Sequence, residues 1–238
     1  MPAPRLDRTL LPAVFLLIGL MVFFELTRFD LWLQDRSYDF RAGRWLVDGR
    51  DPWLRAVFYT GPKIALYIFG CALLGLILGP ARWRDRLGLP GSGGRRDLLV
   101  VFATLASVPL LAGLGKTATN VFCPSEIRRY GGDVPYVTLC SRFPPADRPV
   151  RRGHCFPAGH ASGGFALVSL AGLARSRRGA ALGLLAGLVA GGAMGVYQML
   201  KGAHYLSHTV FTMVLAWGVF LVWRRILLSP APRAAGVA

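Results

Sequence analysis

The chain has 238 residues, 53% of them hydrophobic and only 17% charged, with a mean hydropathy of +0.44. Soluble domains carry about a quarter charged residues, so the composition excludes a disordered chain and argues against an ordinary soluble globule. The formal charge of +16 arises from 28 Lys+Arg against 12 Asp+Glu, and because these bases sit mostly between long apolar runs they point to anionic lipid head groups and away from nucleic acid.

Six largely uninterrupted apolar stretches follow in chain order: residues 10–26, 54–78, 98–114, 161–174, 179–200 and 209–228. Their lengths predict an all-α integral membrane protein with six transmembrane helices in one bundle, forming a single domain over 1–238. The fourth stretch is the shortest and also fits a buried core helix. The fifth carries Gly183, Gly187, Gly191, Gly192 and Gly195, small residues that let helices approach closely in lipid. Arg5 and Arg8 before the first stretch resemble a signal-peptide n-region, but Glu25 to Phe29 offers no small-x-small cleavage site, so a retained helix is expected. The segment after the first span holds Trp32, Trp45 and Trp53 with Asp30, Asp35, Asp39, Asp48 and Asp51, the mixture of a segment lying in the membrane interface. A flexible turn is expected over 90–94.

Orientation follows from Arg in the short loops. Arg5 and Arg8, Arg82 to Arg96, Arg175 to Arg178, and Arg224, Arg225 and Arg233 all fall on one side, which is assigned as cytoplasmic. Cys123, Cys140 and Cys155 fall in the opposite loop. An oxidising compartment permits one disulfide there. Cys123 and Cys155 are the expected pair because both abut conspicuous segments, with Cys140 competing for either. No spacing is CxxC, and no zinc site is expected.

The four histidines, His154, His160, His204 and His208, lie only before the fourth span or between the fifth and sixth. With alternating spans, all four and Lys116 converge on one side of the bilayer. Three segments stand out: Lys116 through Pro124, with Cys123 before the proline; Cys155-Phe-Pro-Ala-Gly-His160-Ala-Ser162; and Lys201-Gly-Ala-His204-Tyr-Leu-Ser-His208. Singly, each has a plain structural explanation, as a snorkelling lysine, a helix start, or an i,i+4 histidine face or metal pair.

Their order and spacing resemble the type 2 phosphatidic acid phosphatase superfamily of membrane lipid phosphate phosphatases. That family's pattern runs K-x6-R-P, then P-S-G-H, then S-R-x5-H-x3-D. Lys116 and Pro124, then Pro157, Gly159 and His160, then His204 match it. Cys123, Ala158, Gln198 and His208 stand where the pattern has arginine, serine, arginine and aspartate. Bacterial branches with K-x6-C-P, a nearby Y-G-G (Tyr130-Gly131-Gly132) and G-A-H-F-x-S-H resemble the chain more closely. The resemblance covers roughly 95–225, with a phosphatase-like core over 98–225.

The resemblance implies hydrolysis of a phosphate monoester or diphosphate on a membrane lipid at the periplasmic face of a bacterial inner membrane. His204 would be the nucleophile, forming a phosphohistidine, and His160 the acid and base. His208 would stand in for the carboxylate that orients His204. Lys116, Gly159, Ser162, Gln198 and Lys201 are the candidate phosphate-binding residues. No metal and no cofactor is implied. Substrates in view are phospholipid, isoprenoid and lipid A phosphates. A phosphotransferase of the same chemistry, a catalytically weak lipid-phosphate binder, and a haem or metal protein using the histidines are the competing readings. For the missing arginines the outer loops offer Arg128, Arg129, Arg142, Arg151 and Arg152 beside Lys201.

Overall fold

A computed structural model describes residues 7–89 and 91–228. The architecture is helical, and four helices are long and apolar enough to cross a membrane. They are α3 (Pro52–Leu78), α5 (Gly91–Ala118, from Gly94 on), α7 (Arg177–Leu200) and α8 (Leu206–Leu228). A fifth arises if α1 (Asp7–Leu26) is joined with the segment after it, which turns away by 76° and begins with the short α2 (Phe29–Gln34).

Local chemistry sets several of these boundaries. Asp51 caps α3, accepting a hydrogen bond from the Leu54 amide at 2.9 Å, and Pro52 occupies the first turn, where its missing N–H costs nothing. Pro62 lies in the helix interior, and the turn before it, Ala56–Thr60, is π-wound. Gly79 and Pro80 end α3. Its last carbonyls are taken by Arg84 of α4 (Ala81–Arg86), whose Nη1 donates to Leu76 O at 2.7 Å and Gly79 O at 3.0 Å. Ser176 caps α7 through the Gly179 amide.

One sequence expectation is corrected and another is refined. The turn expected over 90–94 does not extend past Pro90, which lies outside the described residues, because α5 already begins at Gly91. The fourth apolar stretch is helical but short: α6 (Gly159–Ala166) continues as a 3₁₀ run over Leu167–Leu173 and ends there. This element runs antiparallel along α7, Gly164 beside Gly191 and Ala174 beside Gly179, and it does so as an interior element. Ala161 through Ala166 are all buried, and Ala161, Phe165 and Ala166 form one core with Val108 of α5 and Ala216 of α8. The glycines of α7 make that burial possible. A Cβ on Gly187 would lie 2.3 Å from the Val168 backbone, and one on Gly191 would strike the Phe165 ring at the same distance. Gly192, by contrast, faces open space.

Residues 119–158 form a cap of short 3₁₀ turns and loops over one end of the bundle. Phe122, Ile127, Tyr130 and Val134 are its core, and Tyr38 and Trp45 pack against them. These two side chains belong to a minimal hairpin, β1 (Tyr38–Asp39) and β2 (Arg44–Trp45), paired Tyr38 to Trp45. The N-terminal region thereby grips the turn between α7 and α8. Trp45 lies so close to Gly202 (φ +75°) that a Cβ there would come within 2.3 Å of the indole. Gln34 Nε2 donates to Met199 O at 2.7 Å, and buried Asp30 accepts from the Ser207 amide at 2.9 Å in the first turn of α8. Trp32 and Trp53 stay exposed.

Candidate functional site

The three segments singled out in the sequence meet at the capped end of the bundle. Lys116 closes α5, Gly159 and His160 open α6, His204 lies in the turn after α7, and His208 occupies the first turn of α8. A Cβ on Gly159 would sit 3.1 Å from Lys116 Cε and 3.6 Å from Nζ, so only glycine lets the lysine lie along the start of α6 without displacement. The first turn of a helix leaves N–H groups without intrahelical acceptors. Just before it, the Ala158 amide is already taken by Thr212 Oγ1 at 3.0 Å.

The imidazoles form a row. His160 and His204 have ring centroids 6.4 Å apart, and His204 and His208 5.6 Å apart. His204 Nδ1 faces His208 Nδ1 at 3.4 Å, a pairing in which one ring donates and the other accepts, so at least one is neutral. Both are buried. Burial, followed by the charges of His208, Lys116, His160 and Lys201, pushes the His204 pKa well below the ordinary imidazole value. Since Nδ1 is directed at His208, Nε2 is the nitrogen of His204 left for other chemistry. His154 lies apart from the row, its Nδ1 3.0 Å from the Lys116 carbonyl oxygen.

Cys123 and Cys155 are joined by a disulfide, which ties the loop after α5 to the strand of chain leading into α6. Cys140 is free. The Cys155 sulfur lies 3.5 Å from His204 Nδ1 and 3.0 Å from Ala203 O.

A cleft of about 610 Å³ opens beside this row, between α3, α5 and α6. Lys63, Lys116, His160 and Ser162 lie on its lining, and the rest is largely apolar, including Leu66, Leu74, Phe102 and Leu105. His160 reaches the cleft, while His204 stands behind it at 2% exposure.

Not every predicted residue joins the site equally. Ser162 lines the cleft, but its hydroxyl donates to Gly159 O at 2.6 Å, a bond within its own helix. Gln198 is buried with Nε2 lacking a partner among the described residues. Lys201 approaches through aromatic faces, its Nζ lying 4.9 Å from the Tyr197 ring centre and 5.4 Å from that of Tyr59. Burial and Arg55 lower its pKa.

Sequence reasoning missed Tyr59, whose ring centre lies 4.3 Å from that of His160. Arg55 Cζ lies 5.5 Å from the Tyr59 ring centre, and Lys63 and Tyr67 follow one turn apart on α3. The signal was present: Arg55, Tyr59, Lys63 and Tyr67 recur every four residues, the spacing of one helix face.

Of the candidate outer-loop arginines, three are otherwise engaged, while Arg142 and Arg152 form no ion pair among the described residues. Arg128 makes a bidentate pair with Asp147, Arg129 with Asp35 at 2.7 Å, and Arg151 reaches Glu126 at 2.5 Å and Asp133 at 2.8 Å. Arg151 and Arg128 in turn hold the Asp133 and Asp147 carboxyls below the usual carboxylate range. Among the described residues, no carboxylate forms an ion pair with Lys116 or Lys201.

A cationic helix end, a row of imidazoles and an apolar cleft suit an anionic head group on a greasy tail. The PAP2 superfamily model matches residues 97–229, more than half of the chain. The chain belongs to that superfamily. A PAP2 phosphatase-type domain therefore occupies α5 through α8 and carries every histidine, whereas α1 to α4 lie outside the matched region. No curated protein and no solved structure matches the chain.

Proposed function

We propose that the protein is a multi-pass inner-membrane lipid phosphate phosphatase whose site faces the periplasm. The observation that carries this reading is the juxtaposition of Lys116, His160, His204 and His208 at one end of an apolar cleft within a PAP2 domain. The cleft supports a lipid-type substrate: it offers its phosphate-binding groups at one end and room for hydrocarbon below them.

In this mechanism Lys116 and the first-turn amides of α6 hold the phosphate oxygens, where charge gathers in the transition state. His204 Nε2 attacks phosphorus, the bond from phosphorus to the lipid oxygen breaks, and its electron pair leaves with that oxygen. His160 donates the proton that makes the leaving group an alcohol. It then takes a proton from water, the hydroxide attacks the phosphohistidine, and the P–N bond breaks to release phosphate and restore His204. Neutral His208 holds the ring of His204 through the Nδ1 contact. The scheme uses no metal.

Phosphate release from phosphatidate, phosphatidylglycerol phosphate, a polyprenyl diphosphate and lipid A, measured in detergent with EDTA present, tests the activity. Turnover of at least one substrate with a ³²P-phosphohistidine trapped at His204 is expected, and no release from any of them would overturn the reading. Orientation is tested separately in a background lacking Cys71 and Cys140. Val150→Cys, at a fully exposed cap position, should react with an impermeant thiol reagent in cells with a permeabilised outer membrane, and Arg86→Cys should not. The reverse pattern would invert the topology.

A further inference from the structure

We infer that opening the Cys123–Cys155 disulfide converts the base of the histidine row into a binding site for a divalent zinc-like cation, and that the occupied site is inactive. Three buried ligands already converge there: Cys155 Sγ and one ring nitrogen each of His204 and His208 lie within 4.8 Å of one another. Two of the three separations are those of a metal site. A tetrahedral zinc with ordinary bond lengths sets two nitrogens about 3.3 Å apart and a nitrogen about 3.6 Å from a sulfur. The nitrogens here are 3.4 Å apart and His204 Nδ1 is 3.5 Å from the sulfur. One thiolate and two imidazoles are the donor set that zinc and cobalt(II) favour over magnesium or calcium.

In the oxidised protein the sulfur is spent on Cys123 and cannot bind as a thiolate. The two residues differ in access: Cys155 is fully buried, whereas Cys123 is partly exposed, which favours attack by a dithiol at Cys123. Attack there forms a mixed disulfide with Cys123 and expels Cys155 as the thiolate, facing both imidazoles. The second thiol of the reagent then releases Cys123 as a thiol and leaves as the oxidised disulfide. The metal takes the lone pair of Nδ1 on each ring, and the ring proton of His204 must then sit on Nε2. That is the nitrogen whose lone pair attacks phosphorus, so a metal here removes the nucleophile. This last consequence rests on the proposed function; the binding site does not.

The test uses the purified full chain with cobalt(II) as the spectroscopic probe and a phosphine as reductant, so that no added thiol competes for metal. Reduced wild type should bind one equivalent and develop the visible bands of tetrahedral cobalt with a sulfur-to-metal charge-transfer band. Oxidised wild type and reduced Cys155→Ala should not. Cys123→Ala frees Cys155 permanently and should bind without reductant. Zinc should then suppress turnover at least tenfold in the reduced protein and leave the oxidised protein unchanged. Equal binding by reduced and oxidised wild type, or no tetrahedral spectrum in the reduced wild type, overturns the site. If Cys123→Ala fails to fold, reduced wild type alone decides. Since the spectrum needs no substrate, a chain that binds cobalt but releases no phosphate would leave this site standing and the proposed activity refuted.

Discussion

Two populations of ionisable groups lie within the same capped end of the molecule and are built on opposite rules. In the outer cap, Arg128, Arg129 and Arg151 are matched with Asp147, Asp35, Glu126 and Asp133, and most of these groups remain partly in water. Beneath them, Lys116, Lys201, His160, His204 and His208 share a cationic, desolvated region with no carboxylate paired to either lysine among the described residues. The first arrangement is neutralised internally and shapes loops. The second is left with uncompensated donors, which an incoming phosphate dianion can satisfy. Number of positive charges is therefore a poor guide to the site: Arg128, Arg129 and Arg151 are neutralised by carboxylates, and the two lysines beside the imidazoles are not.

The largest effect separating the two populations should come from the imidazoles. His204→Ala and His160→Ala should each cut turnover by about a hundredfold or more, the usual scale for a nucleophile or acid–base group. Arg128→Gln should stay within about twofold, since it removes a solvent-exposed ion pair with Asp147 and one exposed bond to the Asp133 carbonyl. Initial rates on one lipid substrate, with helicity checked by circular dichroism, decide the matter. A larger loss at Arg128 than at His204 would reverse the comparison.

Next come the cations. Lys116→Met should lower kcat/KM roughly tenfold or more by removing a charge held against the transition state. Arg129→Met should chiefly lower the thermal midpoint, because its guanidinium joins the cap to Asp35 beside the hydroxyl of Tyr130. Parallel losses of kcat/KM in both variants would mean that the paired arginines also serve the substrate.

A smaller effect is expected at Tyr59. Its ring lies against His160 and beneath Lys201, so Tyr59→Leu should cost about threefold to tenfold in kcat/KM, and Tyr59→Phe should restore most of it. Failure of the phenylalanine variant to recover would assign the role to the hydroxyl instead of the ring.

What the sequence disclosed, and what it hid, follows from how each feature is encoded. Long apolar helices such as α7 and α8 carry their signal in composition and are readable. The motif residues were readable too, because a fixed spacing such as that between Lys116 and Cys123 survives translation into geometry. The interior position of α6 and its change to a 3₁₀ run were not, because a buried helix and a lipid-facing one are equally apolar; only the close approach of Gly187 and Gly191 to it reveals its burial. Nor could spacing say which arginine replaces those missing from the motif. The partners that occupy Arg129 and Arg151 lie 94 residues away at Asp35 and 25 away at Glu126. Tyr59 escaped for a different reason: its helix lies outside the motif segments, and its cation–aromatic ladder looked like an ordinary helix face.

The subtlest distinction lies between a neutral support and a charged one, and His208 decides it. Burial and surrounding positive charge depress the His204 pKa, so the nucleophile stays deprotonated below about 6.5, where a free imidazole would already be half protonated. The acid limb of kcat/KM should accordingly fall below that value. Placing an anion at the neighbouring position works the other way. In His208→Asp the carboxylate would stabilise the imidazolium form of His204 and raise its pKa, so the acid limb should move to higher pH. The plateau rate should be largely kept, because a carboxylate can also accept a hydrogen bond from Nδ1. His208→Ala should lose much of the rate at every pH, since nothing then orients the ring. Rate against pH for the wild type and both variants reads this directly. Three superimposable profiles would reduce His208 to a bystander, whereas a shift of the aspartate limb to lower pH would mean that the anion acts on some group other than His204.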